Sequence, residues 1–335
     1  MKFDITRQPL VPAFLTLAAL TLAALYAAGA SAAETADITG TADRIAELAV
    51  AMPRELLTRL QAIAPAGSKT LTAFLLLFAG MCTGRMTVRY NLYSAGTCLA
   101  IPLFGMVACG LAARTEYLPA CAATALLALA VKNFGRSFCN GYGFDAIFRA
   151  SLYLGMIPLL VPAAAPLLLL MPVALMLFRR TVREAAVALA GILLPPLVLC
   201  YVNWGAGGSF IAPVALLGKT LVTGAPFGML LSLPLPEQLM LGATVVLTLL
   251  ALGLFLSDLY AVGTRPRFLL VFAACTFAAT LLALCSPAAT TDDTLLVAVP
   301  AAVLLPVLFV RTRRLINLPL YLLLLAGAAA VAFLQ

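Results

Sequence analysis

"VKNFGRSFCNGYGFDAIFRASLYLG", residues 131–155, holds four glycines, two asparagines, three basic residues and one aspartate within 25 positions. On either side the chain is almost wholly apolar, with "TALLALA" (124–130) before it and "MIPLLVPAAAPLLLL" (156–170) after it. Such a segment is either a solvated connection between two spans or a polar feature set inside a membrane. The choice fixes where the helices of the whole chain begin and end.

Composition settles the class. With 64% hydrophobic and only 10% charged residues over 335 positions, the chain has more apolar side chain than a soluble core hides and too little charge to coat a surface. Mean hydropathy is +1.09. The apolar runs are long and do not alternate in polarity as barrel strands would, so helices are the spanning element. The sequence therefore predicts an all-α polytopic transmembrane helical bundle forming a single transmembrane domain over residues 1–335.

Apolar length and flanking charge predict eleven spans, within a range of nine to thirteen: 10–33, 70–84, 90–112, 117–131, 148–161, 165–178, 185–203, 239–259, 268–285, 294–310 and 316–334. Those at 70, 117, 148 and 165 are short for a bilayer about 30 Å thick and read as tilted, broken or paired half-helices. With the N-terminus inside, 15 of the 21 Lys and Arg residues fall on the cytoplasmic side, as the positive-inside rule requires. Acidic residues distribute the other way, with Glu237, Asp292 and Asp293 among those outside. This alternation predicts a bacterial inner (cytoplasmic) membrane protein with a cytoplasmic N-terminus and a periplasmic C-terminus. It also accounts for the net charge of +8 without a nucleic-acid partner.

Two readings of the N-terminus fit. Lys2 and Arg7 precede an apolar run ending in "AAGASAAET" (27–35), where Ala30 and Ala32 suit signal-peptidase cleavage. The run is longer than a signal core of roughly 7 to 15 residues, which favours a retained first helix. In either case residues 34–69 lie outside. There Ile45, Leu48, Met52, Leu56, Leu60 and Ile63 recur at helical spacing, as one or two amphipathic helices bent at Pro53. A packing lid accounts for this more simply than a substrate clamp. Residues 202–238, rich in Gly and Pro yet apolar, read as an external interfacial or re-entrant segment, with Trp204 at the membrane surface and Lys219 snorkelling.

Several chemistries are excluded. The chain has no histidine, which removes His-ligated haem, Ser-His-Asp triads and nearly every catalytic zinc arrangement. Its eight cysteines form no Cys-x-x-Cys pair and read as small buried hydrophobes, and no phosphate-binding glycine loop appears. No metal site and no cofactor are expected. Nor does any carboxylate stand at mid-membrane, which weighs against an ion-coupled transporter.

The opening stretch then falls at the cytoplasmic face, where the positive-inside rule alone supplies three bases. That rule does not ask for Asn133, Asn140, Asp145, Gly135, Gly141 and Gly143. Arg136 and Arg149, together with Arg179, Arg180 and Arg183 of "FRRTVRE" (178–184), are accordingly the candidates for binding an anionic lipid or phosphate.

The segments "GRMTVRYNLYSAGTCLAIPLF" (84–104), "FDAIFRASLYLGMIPLL" (144–160), "LMLFRRTVREAAVALAGILLPPLVLCYVNW" (175–204) and "GTRPRFLL" (263–270), in that order, resemble an uncharacterised family of Bacteroidota polytopic integral membrane proteins over roughly residues 70–280. The resemblance implies a membrane-bundle fold and assigns no catalytic residue.

Three functions remain. The first, which the short loops and few polar interior groups favour, is a non-enzymatic membrane or envelope-assembly component, whose partners are membrane lipids and other envelope membrane proteins. The second is an enzyme similar to glycosyltransferases that use polyprenyl-phosphate sugar donors, with Glu34 or Asp37 as its base. The third is a transporter or lipid-handling protein.

Overall fold

The structure is a computed structural model that describes residues 8–31, 53–111, 117–139, 143–222, 225–259, 262–312 and 314–333. In chain order the helices are α1 (Leu10–Ser31), α2 (Pro53–Ile63), α3 (Pro65–Arg89), α4 (Ala100–Gly110), α5 (Tyr117–Cys139) and α6 (Phe144–Leu160). A 3-10 helix, Pro162–Leu169, runs into α7 (Leu170–Leu177), followed by α8 (Val182–Gly205), α9 (Ala212–Val222), α10 (Gly228–Ser232), α11 (Leu235–Ser257) and α12 (Thr264–Leu284). A second 3-10 helix, Thr291–Val297, leads into α13 (Ala298–Arg311), and α14 (Arg314–Phe333) ends the described chain. The described residues contain no strand.

Six helical stretches are long and apolar enough to cross a membrane: α3, α5, α8, α11, α12 and the continuous stretch Thr291–Arg311. Eleven spans were expected. The remaining apolar helices, such as Leu10–Leu25 and Ile316–Ala332, are shorter over the apolar residues described, and the boundaries differ from the sequence reading in physically informative ways. The expected span 70–84 lengthens to α3 because Pro65 starts the helix at its first turn, where its missing N–H costs nothing. The amphipathic segment 34–69 therefore gives up its last residues to α3, and its described helix is α2, which starts at Pro53. The expected span 117–131 likewise extends to Cys139, taking Lys132 and Arg136 into the helix.

The expected span 90–112 shrinks to the 11-residue α4. The helix before it stops at Tyr90 because Asn91 takes a left-handed conformation, φ 45°. The Asn91 and Leu92 amides then donate to the Val88 and Thr87 carbonyls at 3.2 and 3.1 Å. A coil follows, anchored by the Tyr93 hydroxyl donating to the Val303 carbonyl at 2.6 Å. Residues 294–310 extend the other way. Asp292 and Asp293, expected in an external loop, form the first turn of the 3-10 helix and are 4% and 3% exposed.

Every residue of α4 is buried, and α1, α3, α13 and α14 pack around it. Beside this group α5 pairs with α3 and α6, and α6 pairs with α8. Glycines set the α6–α8 spacing. A Cβ on Gly155 would stand 2.6 Å from the Ile192 carbonyl oxygen, and one on Gly191 would stand 2.9 Å from the Phe148 carbonyl oxygen. The two backbones touch, which is how helices associate where lipid removes the hydrophobic drive.

The arginine-bearing ends of α3, α5, α6, α8 and α13 gather at one end of the bundle. Arg311 meets Asp258 at 2.9 Å, joining the ends of α13 and α11. Arg180, ahead of α8, donates to the Ser137 carbonyl near the end of α5. Beneath them the rings of Phe138 and Phe178 meet tilted at 4.8 Å, and Phe134 and Phe178 each meet Phe272 at 5.5 Å. At the opposite end the starts of α3 and α5 are tied by Ser68 and Tyr117, whose hydroxyls lie 2.7 Å apart.

Candidate functional site

Three helix ends enclose a cavity of about 240 Å³ at the basic end. The last turns of α3 supply Arg85, Met86, Arg89 and Tyr90; α5 supplies Leu129, Lys132, Asn133 and Arg136; α6 supplies Arg149 and Tyr153. Two of its five cations, Arg89 and Arg136, stand in the last turns of their helices, where the helix macrodipole favours positive charge. The wall from α6 begins at Gly143, and Asp145 in its first turn is placed where a dipole favours an anion.

The charge is unbalanced. Among the described residues, only Arg149 of the five forms an ion pair, with Asp145 at 2.8 Å. That pair is open to solvent, at 54% and 64% side-chain exposure, so it contributes little. The Lys132 amine reaches the Cys82 sulfur at 3.7 Å, a weak acceptor that leaves its charge in place. Five cations against one carboxylate leave an excess of four positive charges around one cavity. Such a grouping repels itself unless an anion or solvent stands between its members.

The sequence candidates divide. Arg136 and Arg149 come together in this cavity, and Arg179, Arg180 and Arg183 do not line it. Arg180 is committed elsewhere. Its guanidinium pairs with Glu184 at 3.0 Å with both side chains nearly buried, at 9% and 5% exposure. Glu184 also accepts from the Thr181 amide at 2.9 Å, completing the capping box that starts α8. Arg179 is exposed, in the left-handed conformation (φ 50°) that ends α7, where the Arg179 and Arg180 amides donate back to Met176 and Leu175. Arg183 is exposed on the first turn of α8. Glu34 and Asp37 lie outside the described residues.

Sequence reasoning missed Arg85, Arg89 and Lys132 as members of the site. The signal was present: Arg85 and Arg89 are spaced i, i+4 at the end of a span, as are Lys132 and Arg136. What linear spacing does not contain is the pairing of α3 with α5, which sets the two doublets face to face.

Glu237, Asp292 and Asp293, expected on the outer side, stand at the end opposite the basic cavity and are all under a tenth exposed. Asp293 closes a capping box by accepting from the Thr290 amide at 2.8 Å, within reach of the Arg54 charge. It therefore starts the helical stretch it belongs to. Among the described residues, no group of three or more Cys, Asp or Glu is arranged to hold a metal ion.

A second cavity, about 630 Å³, opens on the other side of α3. Leu10, Met81, Gly84, Val88, Cys98 and Ile101 line it, with Arg85 and Arg89 at its edge. Comparison with protein-family models, curated proteins and solved structures returns no match to this chain.

Proposed function

We propose that this is a non-enzymatic component of the bacterial inner membrane that holds a phosphate-bearing anion at its cytoplasmic end. The observation carrying the reading is the cavity in which Arg85, Arg89, Lys132, Arg136 and Arg149 face one another with a single exposed carboxylate partner. Guanidinium groups present planar, paired donors that match phosphate oxygens, and clustered arginines bind such groups even in competition with water. No carboxylate, thiol or aliphatic hydroxyl lines the cavity, whose uncharged polar residues are Tyr90, Tyr153 and Asn133. A lining dominated by five cations suits holding an anion.

The proposal includes the topology. Besides the six long stretches, α1, α4, α6, the 3-10 helix with α7, and α14 traverse the bundle to make eleven passages. The 11-residue α4 covers about 16 Å, half the hydrocarbon thickness. The coil before it is anchored to the bundle by Tyr93, with Leu92, Thr97 and Leu99 buried. Eleven passages leave the N-terminus and the basic cavity inside and the C-terminus outside.

The test is purification in mild detergent with quantitation of co-purifying phospholipid and of protein partners. The intact chain is expected to retain anionic phospholipid, and Arg136→Ala to release most of it. Equal anionic-lipid content in both proteins refutes the reading.

A further inference from the structure

The basic cavity and the apolar cavity have two lining residues in common, Arg85 and Arg89. The geometry of α3 explains why. At about 100° per residue, Met81, Gly84 and Val88 fall on one flank of the helix and Met86 and Tyr90 on the other, with Arg85 and Arg89 on the ridge between. The two flanks differ in chemistry. One holds no polar lining besides the arginine stems, and the other is lined by five cations.

The apolar side is open to an occupant. Leu10 is 51% exposed and Val88 is 44% exposed, and both stand on its walls. Its floor is closed, because Gly84 lets Ile101 of α4 press against α3: a Cβ on Gly84 would stand 2.2 Å from Ile101 Cγ1. The groove thus faces outward between α1 and α3, where lipid chains run. It ends at the two arginines that open onto the charged cavity.

We propose that the two cavities are the two halves of one site for a lipid carrying a terminal phosphate monoester. The phosphate lies among Arg85, Arg89, Lys132, Arg136 and Arg149, and the hydrocarbon tail lies along Met81, Gly84 and Val88 between α1 and α3. This rests on the phosphate-binding reading and goes beyond it by naming the class of ligand. Charge selects the monoester. It carries nearly two negative charges at neutral pH, and an excess of four positive charges discriminates it from a singly charged diester. A soluble phosphate satisfies the cations and leaves the groove unused. A lipid uses both, with the arginine stems lying along the tail and their guanidinium heads turned to the phosphate.

The experiment measures binding of the full chain in dodecyl maltoside micelles doped with phosphatidic acid or phosphatidylcholine, and separately with glycerol 3-phosphate, which has the same headgroup and no tail. Phosphatidic acid is expected to bind at least about tenfold more tightly than phosphatidylcholine. Val88→Trp, which fills the groove from α3, is expected to weaken phosphatidic acid binding about tenfold while leaving glycerol 3-phosphate binding unchanged. Leu10→Trp fills it from α1 and is expected to do the same. Both positions are about half exposed, so neither substitution disturbs the core. Undiminished phosphatidic acid binding in both tryptophan variants overturns the lipid proposal and leaves the site to a free phosphate. Arg136→Ala is expected to weaken both ligands; if it weakens neither, the phosphate-binding reading itself fails.

Discussion

Glu184→Ala is the substitution for which the structure gives the sharpest magnitude. The Glu184 carboxylate accepts from Arg180 at 3.0 Å, from the Thr181 amide at 2.9 Å and from the Thr181 hydroxyl at 3.1 Å. It is 5% exposed and Arg180 is 9% exposed. Removing it takes the carboxylate countercharge from a nearly buried guanidinium, which keeps its bond to the Ser137 carbonyl, and opens the capping box of α8. Breaking one partner of a buried pair costs about 3–5 kcal/mol, because the remaining charge is left without compensation. Asp145→Ala is the matched control. It also removes an i, i+4 partner of an arginine at the same end of the bundle, yet that pair is more than half exposed and such pairs contribute about 0.2–1 kcal/mol. Reversible unfolding of the two variants in mixed micelles of dodecyl maltoside and dodecyl sulfate should therefore differ by roughly 3 kcal/mol, with Glu184→Ala the less stable. Glu184→Gln, which keeps an acceptor and loses the charge, should fall between them. If the two alanine variants unfold within about 0.5 kcal/mol of one another, burial does not govern these pairs and the role assigned to Arg180 is wrong.

Two other predictions address the frame that positions the site. Gly155→Val forces a Cβ to within 2.6 Å of the Ile192 carbonyl, so α6 and α8 must separate, at a cost of about 1–3 kcal/mol; the same unfolding assay should show it, and wild-type stability would remove the close helix crossing. Arg179→Cys, at an exposed position, should react with a membrane-impermeant maleimide only after cells are permeabilised; labelling of intact cells beyond that of the parent chain would invert the proposed topology.

The membrane class followed from composition, 64% hydrophobic and 10% charged, and the helical class from long apolar runs that do not alternate in polarity, since a spanning segment that is not a barrel strand must satisfy its backbone within itself. The opening stretch was legible in part. Read as a connection between spans, it does contain a helix boundary, with α6 starting at Phe144, but Lys132 and Arg136 belong to the last turns of α5. Hydropathy averages over the turn in which a helix passes from lipid to water, so it ends a span at the first charge. The backbone has no reason to stop there, since cations at a helix C-terminus are stabilised by its dipole.

The site divides along the same line. Arg136 and Arg149 were readable as a pair because one short connection joins their helices. Arg179, Arg180 and Arg183 were grouped with them only by charge, and the fold gives Arg180 to Glu184 and Ser137 instead. Arg85 and Arg89 entered through the packing of α3 on α5, a contact between residues some 50 positions apart. Sequence by itself determined that this chain is apolar, helical and charged at the ends of its spans, since these follow from what each segment demands of its own surroundings. Which charged ends share a cavity, and which buried acids become caps, was decided by tertiary packing. Those assignments depend on which helices become neighbours, and the spacing of residues along one strand of polypeptide carries no record of that.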